Sequence, residues 1–165
     1  MASNGGPHRA ETGQTAELDG VDRSIIDALR AEGRISMRLL AERLHISRAN
    51  AYARVERLHE RGVITGYAAV VNPQRAGYGV AAYVYLKITQ HSWKTVEQRL
   101  TAIAEVEHGA LVSGEFDMVL LVRTRDAADL RQLVLSQLQG IPDVLSTQTV
   151  LIFDELPVAD RVNRP

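Results

Sequence analysis

The chain predicts an α+β protein in two parts, and three observations carry that prediction. Between residues 18 and 64 apolar residues recur at helical spacing, with small polar residues standing where helices should start. Between residues 80 and 156 four β-prone stretches alternate with two helical ones. Joining them is a β-prone run that Asn72-Pro73 ends. The expected architecture is an N-terminal three-helix helix-turn-helix domain over 18–64, a strand linker over 65–79 and a C-terminal ferredoxin-like βαββαβ domain over 80–156. Small, polar, aperiodic tails are expected at 1–17, as a disordered segment, and at 157–165.

Structure should begin at Leu18. Asp19, with Asp22 three residues on, makes an acidic helix start that suits the positive end of the helix dipole. Ile25, Ile26 and Leu29 supply a buried stripe, and Gly33 stops the helix. From Ser36 to Gly62 the spacing predicts two short helices joined by a tight turn. Leu39, Leu40 and Leu44 share one side of the first; Ala51, Val55 and Leu58 share one side of the second. Ser36 and Ser47 stand at the N-cap positions. With only about three residues between them the helices must cross steeply, as in a helix-turn-helix.

The run Val63–Val71 is extended in character. A lone strand exposes unpaired backbone groups, so it is expected to pair with a neighbouring subunit. From Val80 to Ile88, residues 80, 82, 84, 86 and 88 form one apolar face, with Ala81, Tyr83, Tyr85 and Lys87 on the other. Ser92 is placed to cap a helix carrying Val96, Leu100 and Ile103. Strands follow at about Val106–Ser113 and Phe116–Thr124, joined by a tight turn at Gly114-Glu115. Asp126, with Asp129 at its third position, opens a helix that turns Leu130, Leu133, Val134 and Leu138 inward. Gly140-Ile141-Pro142 ends it, and Val144–Phe153 is the last strand. Two helices cannot cover both faces of four strands. The open face would carry Tyr83, Tyr85 and either Val119 with Leu121 or Met118 with Leu120, so sheet-to-sheet packing in a homodimer is expected.

Composition narrows the function. The net charge of −1 gives no global basic field, so any nucleic-acid binding must come from a local patch. Residues 34–62 hold that patch, with seven arginines against three acids. The absence of cysteine excludes disulfides and thiolate metal sites and fits a cytoplasmic location. No apolar run approaches membrane-spanning length, and no signal-peptide pattern is expected. Histidines 45, 59, 91 and 108 lack metal-ligand spacing, and no nucleophile elbow, P-loop or dinucleotide fingerprint occurs. Neither a cofactor nor a metal is expected.

For double-stranded DNA the candidates sit on the second helix of the pair. Arg48, Asn50 and Tyr52 offer a guanidinium fork, an amide and a phenol to base edges; Arg34, Arg54 and Arg57 offer charge to phosphates. Ser36 and Ser47 belong to the same surface. Arg54 could equally hold an internal carboxylate such as Glu32. For a small ligand the candidates are Ser113, Gly114, Glu115, Phe116 and Asp117, with Ser146 and Thr147 on the last strand. A glycine with free backbone N–H groups beside a carboxylate suits an α-amino acid: amides for its carboxylate, Asp117 for its ammonium. The same residues fit an ordinary hairpin, in which glycine supplies φ > 0 and aspartate satisfies the turn.

The ordered set Leu18-Asp19…Asp22-Arg23-Ser24-Ile25-Ile26, Gly33-Arg34-Ile35-Ser36, Leu40-Ala41, Ile46-Ser47, Arg54-Val55…Leu58 and Gly62-Val63-Ile64-Thr65-Gly66-Tyr67 resembles the Lrp/AsnC family of bacterial and archaeal transcriptional regulators. Val112-Ser113-Gly114-Glu115-Phe116-Asp117 is similar to that family's effector-domain signature. The resemblance covers about Leu18 to Leu156. It implies a DNA-binding regulator whose dimers assemble into larger discs, often octamers, with an amino acid or related small metabolite held between dimers. It also tips the 113–117 turn toward ligand binding. One departure concerns the operator: after Ser47 relatives often hold proline, serine or threonine, whereas this chain has Arg48-Ala49-Asn50. Two rival readings are a ligand-independent architectural DNA organiser and a sirohaem-decarboxylase-like enzyme with His108 beside the haem.

Overall fold

The computed structural model describes residues 17–155, so the tails expected at 1–17 and 157–165 lie, residue 17 apart, outside the described residues. Two compact units emerge, parting between Ala69 and Val70.

The first unit is three helices: α1 (Gly20–Ala31), α2 (Met37–Arg43) and α3 (Arg48–Glu60). Each start is capped by the residue its sequence pattern singled out. Asp19 accepts from the Asp22 N–H at 2.8 Å, Ser36 from Leu39 at 3.2 Å and Ser47 from Asn50 at 3.2 Å. Ile25, Ala28, Leu29, Ile35, Leu40 and Leu58 form the core, with Val55 and Ile46 packed against it. Leu39 departs from the expected stripe. It lies 100° round the helix from Leu40 and faces solvent, and Ala41 takes the buried place. In the turn between α2 and α3, His45 adopts a left-handed conformation, φ 54°.

The linker expected as a strand over 65–79 is not one in the single chain. Residues 65–72 form no ladder, Val70 is 93% exposed, and a turn follows in which the Asn72 and Pro73 carbonyls accept from the Ala76 N–H.

The second unit follows the expected order: β1 (Val80–Ile88), α4 (Trp93–Leu100), β2 (Val106–Leu111), β3 (Met118–Thr124), α5 (Ala127–Gln132) and β4 (Val144–Ile152). Past Gln132 the last helix widens into a π-helical stretch, Leu133–Leu138. The sheet runs β2-β3-β1-β4 with every neighbour antiparallel. Ala82, Val84, Leu86 and Ile88 meet Val96, Leu100, Leu130, Leu133 and Leu138 in one core. Pairing of Val84 with Leu120 and of Tyr83 with Leu121 settles the phase of β3: Met118, Leu120 and Val122 face the helices, while Val119 and Leu121 join the open face. Tyr83 and Val150 on that face remain 42% and 43% exposed.

Three local expectations are corrected. Ser92 starts α4 without capping it; its hydroxyl donates instead to the Thr89 carbonyl at 2.7 Å. The β2–β3 connection is not a tight two-residue turn but spans 112–117, closed by the Val112 N–H donating to the Asp117 carbonyl at 3.0 Å. Both flanking strands are correspondingly shorter than expected.

Candidate DNA and effector sites

On the helical unit, α3 divides its polar side chains between two tasks. Arg48, Asn50 and Tyr52 are exposed, Tyr52 at 61%, and Arg34 is exposed before α2. Arg54 turns the other way. Its Nη1 donates to Asp19 Oδ2 at 2.6 Å and to Asp22 Oδ1 at 2.7 Å, and only 18% of its side chain is exposed. Arg57 donates to the same Asp22 through Nη2 at 3.2 Å, while nearly half its side chain stays in solvent. Asp22 is buried, and a buried carboxylate is tolerable only when opposite charge and hydrogen bonds replace its water.

This corrects the phosphate assignment of Arg54. Its Nη1 is engaged by α1, and its carboxylate partners are the acids that open α1 rather than Glu32, which instead accepts from Arg43 at 3.3 Å. Arg57 is divided between Asp22 and solvent. The guanidinium of Arg54 chiefly, with the Asp22 N–H after it, holds the Asp19 carboxyl below the usual carboxylate range. The Asp19 hydrogen bond, followed by that of Asp22, in turn raises Arg54. Sequence reasoning took Asp19 and Asp22 for a helix start alone, because a carboxylate at the start of one helix gives no sign of which residue on another will reach it. Ser36 and Ser47 sit on the same unit with their hydroxyls accepting cap bonds.

On the sheet unit, the residues of 112–117 gather beside the end of β1. Gly114 has φ 127°, a conformation that glycine adopts without strain. The Phe116 ring lies 5.5 Å from that of Tyr85. Asp117 is already engaged: Oδ2 accepts the Ile88 N–H at 2.9 Å, and Oδ1 lies 3.4 Å from Lys87 Nζ. The Ile88 hydrogen bond first, then that of Lys87, keeps this carboxyl below its ordinary range. Lys87 Nζ also donates to the Glu115 carbonyl at 2.9 Å, which ties the loop to β1. Lys87 was missed as a site residue; its place on the open face of β1 was legible, but its reach to the loop was not.

The two β4 candidates separate. Ser146 pairs with Lys87 and shares its face. Thr147 pairs with Leu86 on the helix-covered face and accepts from Gln139 Nε2 at 2.9 Å. Ser113–Asp117 and Ser146 therefore share one corner of the sheet, and Thr147 stands behind it. A cavity of about 320 Å³ lies elsewhere, lined by Trp93, Leu100, His108, Leu111 and Leu120, and includes none of these residues.

Comparison with known proteins accounts for both units. The Lrp/AsnC ligand-binding domain matches residues 81–160, and a winged helix-turn-helix DNA-binding domain matches residues 18–65. The leucine-responsive regulatory protein of Escherichia coli is 32% identical over 149 residues, covering 88% of this chain and 91% of that protein. The proline dehydrogenase transcriptional activator of Rhizobium radiobacter is 33% identical over 150 residues, covering 89% and 96%. The crystal structure of the leucine response regulatory protein of Mycobacterium tuberculosis superposes with a TM-score of 0.75 at 34% identity, covering 84% of this chain and 94% of that one. With both domains matched in order and relatives alike over nearly their whole length, the chain belongs to the Lrp/AsnC family of DNA-binding transcriptional regulators and is not an enzyme.

Proposed function

We propose that this regulator reads duplex DNA through α3, with Arg48, Asn50 and Tyr52 toward base edges and Arg34 and the exposed part of Arg57 toward phosphates. One observation carries the reading: α3 sorts its polar residues, sending Arg54 inward to Asp19 and Asp22 while Arg48, Asn50 and Tyr52 stay exposed. A helix held from behind by its own ion pairs suits a groove, because positioning is settled before binding. The working unit is a homodimer that assembles into a higher oligomer, in the cytoplasm. Residues 18–64 serve DNA, 65–79 link, and 80–156 sense and assemble.

The effector is an amino acid or related small metabolite at the sheet corner formed by Ser113–Asp117 and Ser146. Free backbone N–H groups near Gly114 and the Lys87 ammonium suit its carboxylate. The engagement of Asp117 with Ile88 makes that residue a support of the loop as much as a ligand group. Leucine in the names of two relatives points to the same chemical class. The ligand acts by differential affinity for two quaternary arrangements.

Titration of operator and random duplexes at several salt concentrations tests the DNA assignment. Arg48→Ala is expected to narrow the gap between the two duplexes, and Arg34→Ala to weaken both equally and flatten the salt slope. Identical behaviour of the two variants defeats it. Calorimetry with the twenty amino acids tests the effector, and no heat with any of them removes it.

A further inference from the structure

The cavity of about 320 Å³ on the sheet unit takes no residue from the effector corner, and its lining is distinctive. α4 contributes Trp93, Glu97 and Leu100, which share one face of the helix at i, i+4 and i+7. The sheet contributes buried Leu120 of β3 and exposed Leu111 of the edge strand β2. Gly109 of β2 also lines the cavity, pairs with Leu120 and shares its face. The backbone does not ask for glycine there, since its φ lies outside the left-handed region. A Cβ at Gly109 would stand 3.1 Å from Leu120 Cδ2, so any side chain would crowd into this space. Glycine inside a strand weakens it and often marks a place that another molecule approaches closely. Here it keeps an apolar trough open beside an indole, with a volume at the lower end of small-molecule sites, about 300–1,000 Å³.

Charge along the trough is one-sided. Glu97 and Glu107 both line it; Arg123 holds Glu107, whereas no cation meets Glu97 among the described residues. Lys94 lies 5.4 Å from the centroid of the Trp93 ring but does not line the trough. His108 pairs with Leu121 and so belongs to the other face of the sheet. The occupant that fits has an apolar body to lie against Trp93 and the leucines, and a cationic end for Glu97. A carboxylate on the same body would stand beside Glu97 with no cation of the trough to receive it.

We infer that the trough between α4 and β2 is a second ligand site, apart from the effector corner, and that it takes small apolar amines: a primary ammonium on an aryl or branched alkyl body, without a carboxylate.

Trp93 is the one tryptophan of the chain, so its fluorescence reports on the trough directly. The full chain is titrated with phenethylamine and, as the opposite charge on a like body, with 3-phenylpropionate. Phenethylamine is expected to change the emission saturably, with half of the change on the order of 1 mM. The acid is expected to bind about threefold more weakly or less, and Glu97→Gln to erase that difference, the scale of an exposed ion pair. Gly109→Val is expected to abolish the response while circular dichroism and light scattering stay as in the wild type. Should Gly109→Val unfold, Gly109→Ala takes its place and is read for a weakened response. No saturable change with phenethylamine, equal binding of the acid, a difference that survives Glu97→Gln, or an undiminished response in the Gly109 variant would each overturn the inference. An emission that shifts with protein concentration and ignores phenethylamine would overturn it too, by showing that a second copy fills the trough.

Discussion

Asp22 has 3% of its side chain in solvent and holds two guanidinium groups, one of which in turn orients the amide of Asn50. Truncating that side chain to a methyl leaves Arg54 with the exposed Asp19 as its one remaining anionic partner among the described residues and leaves a void at the α1–α3 contact. Asp22→Ala is expected to destabilise the helical unit by about 3 kcal/mol, measured by denaturant unfolding. Asp19 allows a pH test. Its folded pKa lies below its ordinary value, chiefly because Arg54 donates to it. A depressed acid lends stability above its unfolded pKa and loses it as pH falls through the folded one. The melting temperature of the helical unit should therefore fall below about pH 4, and Asp19→Asn should flatten that decline. The caps at Asp19, Ser36, Ser47 and Asp126 were legible from the sequence because a cap bond closes within four residues. The second partner of Asp19 is 35 residues away and was not.

At the scale of elements, the four sheet strands and the helices followed from periodicity, whereas the linker strand, the boundaries around 112–117 and the phase of β3 did not. The phase of β3 was open because both of its faces are apolar; pairing with β1 decided it. The hairpin at 112–117 proved wider than its glycine suggested, because Asp117 closes two bonds at once, its carbonyl with Val112 and its carboxylate with Ile88. The π-helical stretch after α5 had no local sequence signal. Entry into β1 depends on a close approach that only the fold reveals. A Cβ at Gly79 would lie 2.7 Å from the Arg125 carbonyl oxygen, a backbone atom with little room to yield. Gly79→Ala is expected to cost about 1–3 kcal/mol in the sheet unit, read from its thermal unfolding.

At the scale of the whole molecule the question is what covers the open side of the sheet. Tyr83, Tyr85, Val119, Leu121 and Val150 share that side, and both helices lie on the other. An apolar face of this kind suits a second copy. Leu121→Asp, central on β3 and half-buried, is expected to convert the assembly to monomers while leaving the fold intact. Light scattering together with circular dichroism checks this, and an unchanged oligomer would exclude the face. The same reasoning applies to the extended run before β1, whose strand character was expected from composition and which forms no ladder in the single chain.

The sequence by itself determined the two-part plan, the element order, the three capped helices, the family and the arginine-rich helix, because each depends on local spacing or on an ordered set of short motifs. Tertiary structure decided that Arg54 faces Asp19 and Asp22, that Lys87 ties down the 112–117 loop, that Thr147 stands behind the candidate effector corner and which face of β3 is open. Those facts concern partners brought together from distant parts of the chain, and the period of a helix or strand fixes which way a side chain points without fixing what it meets.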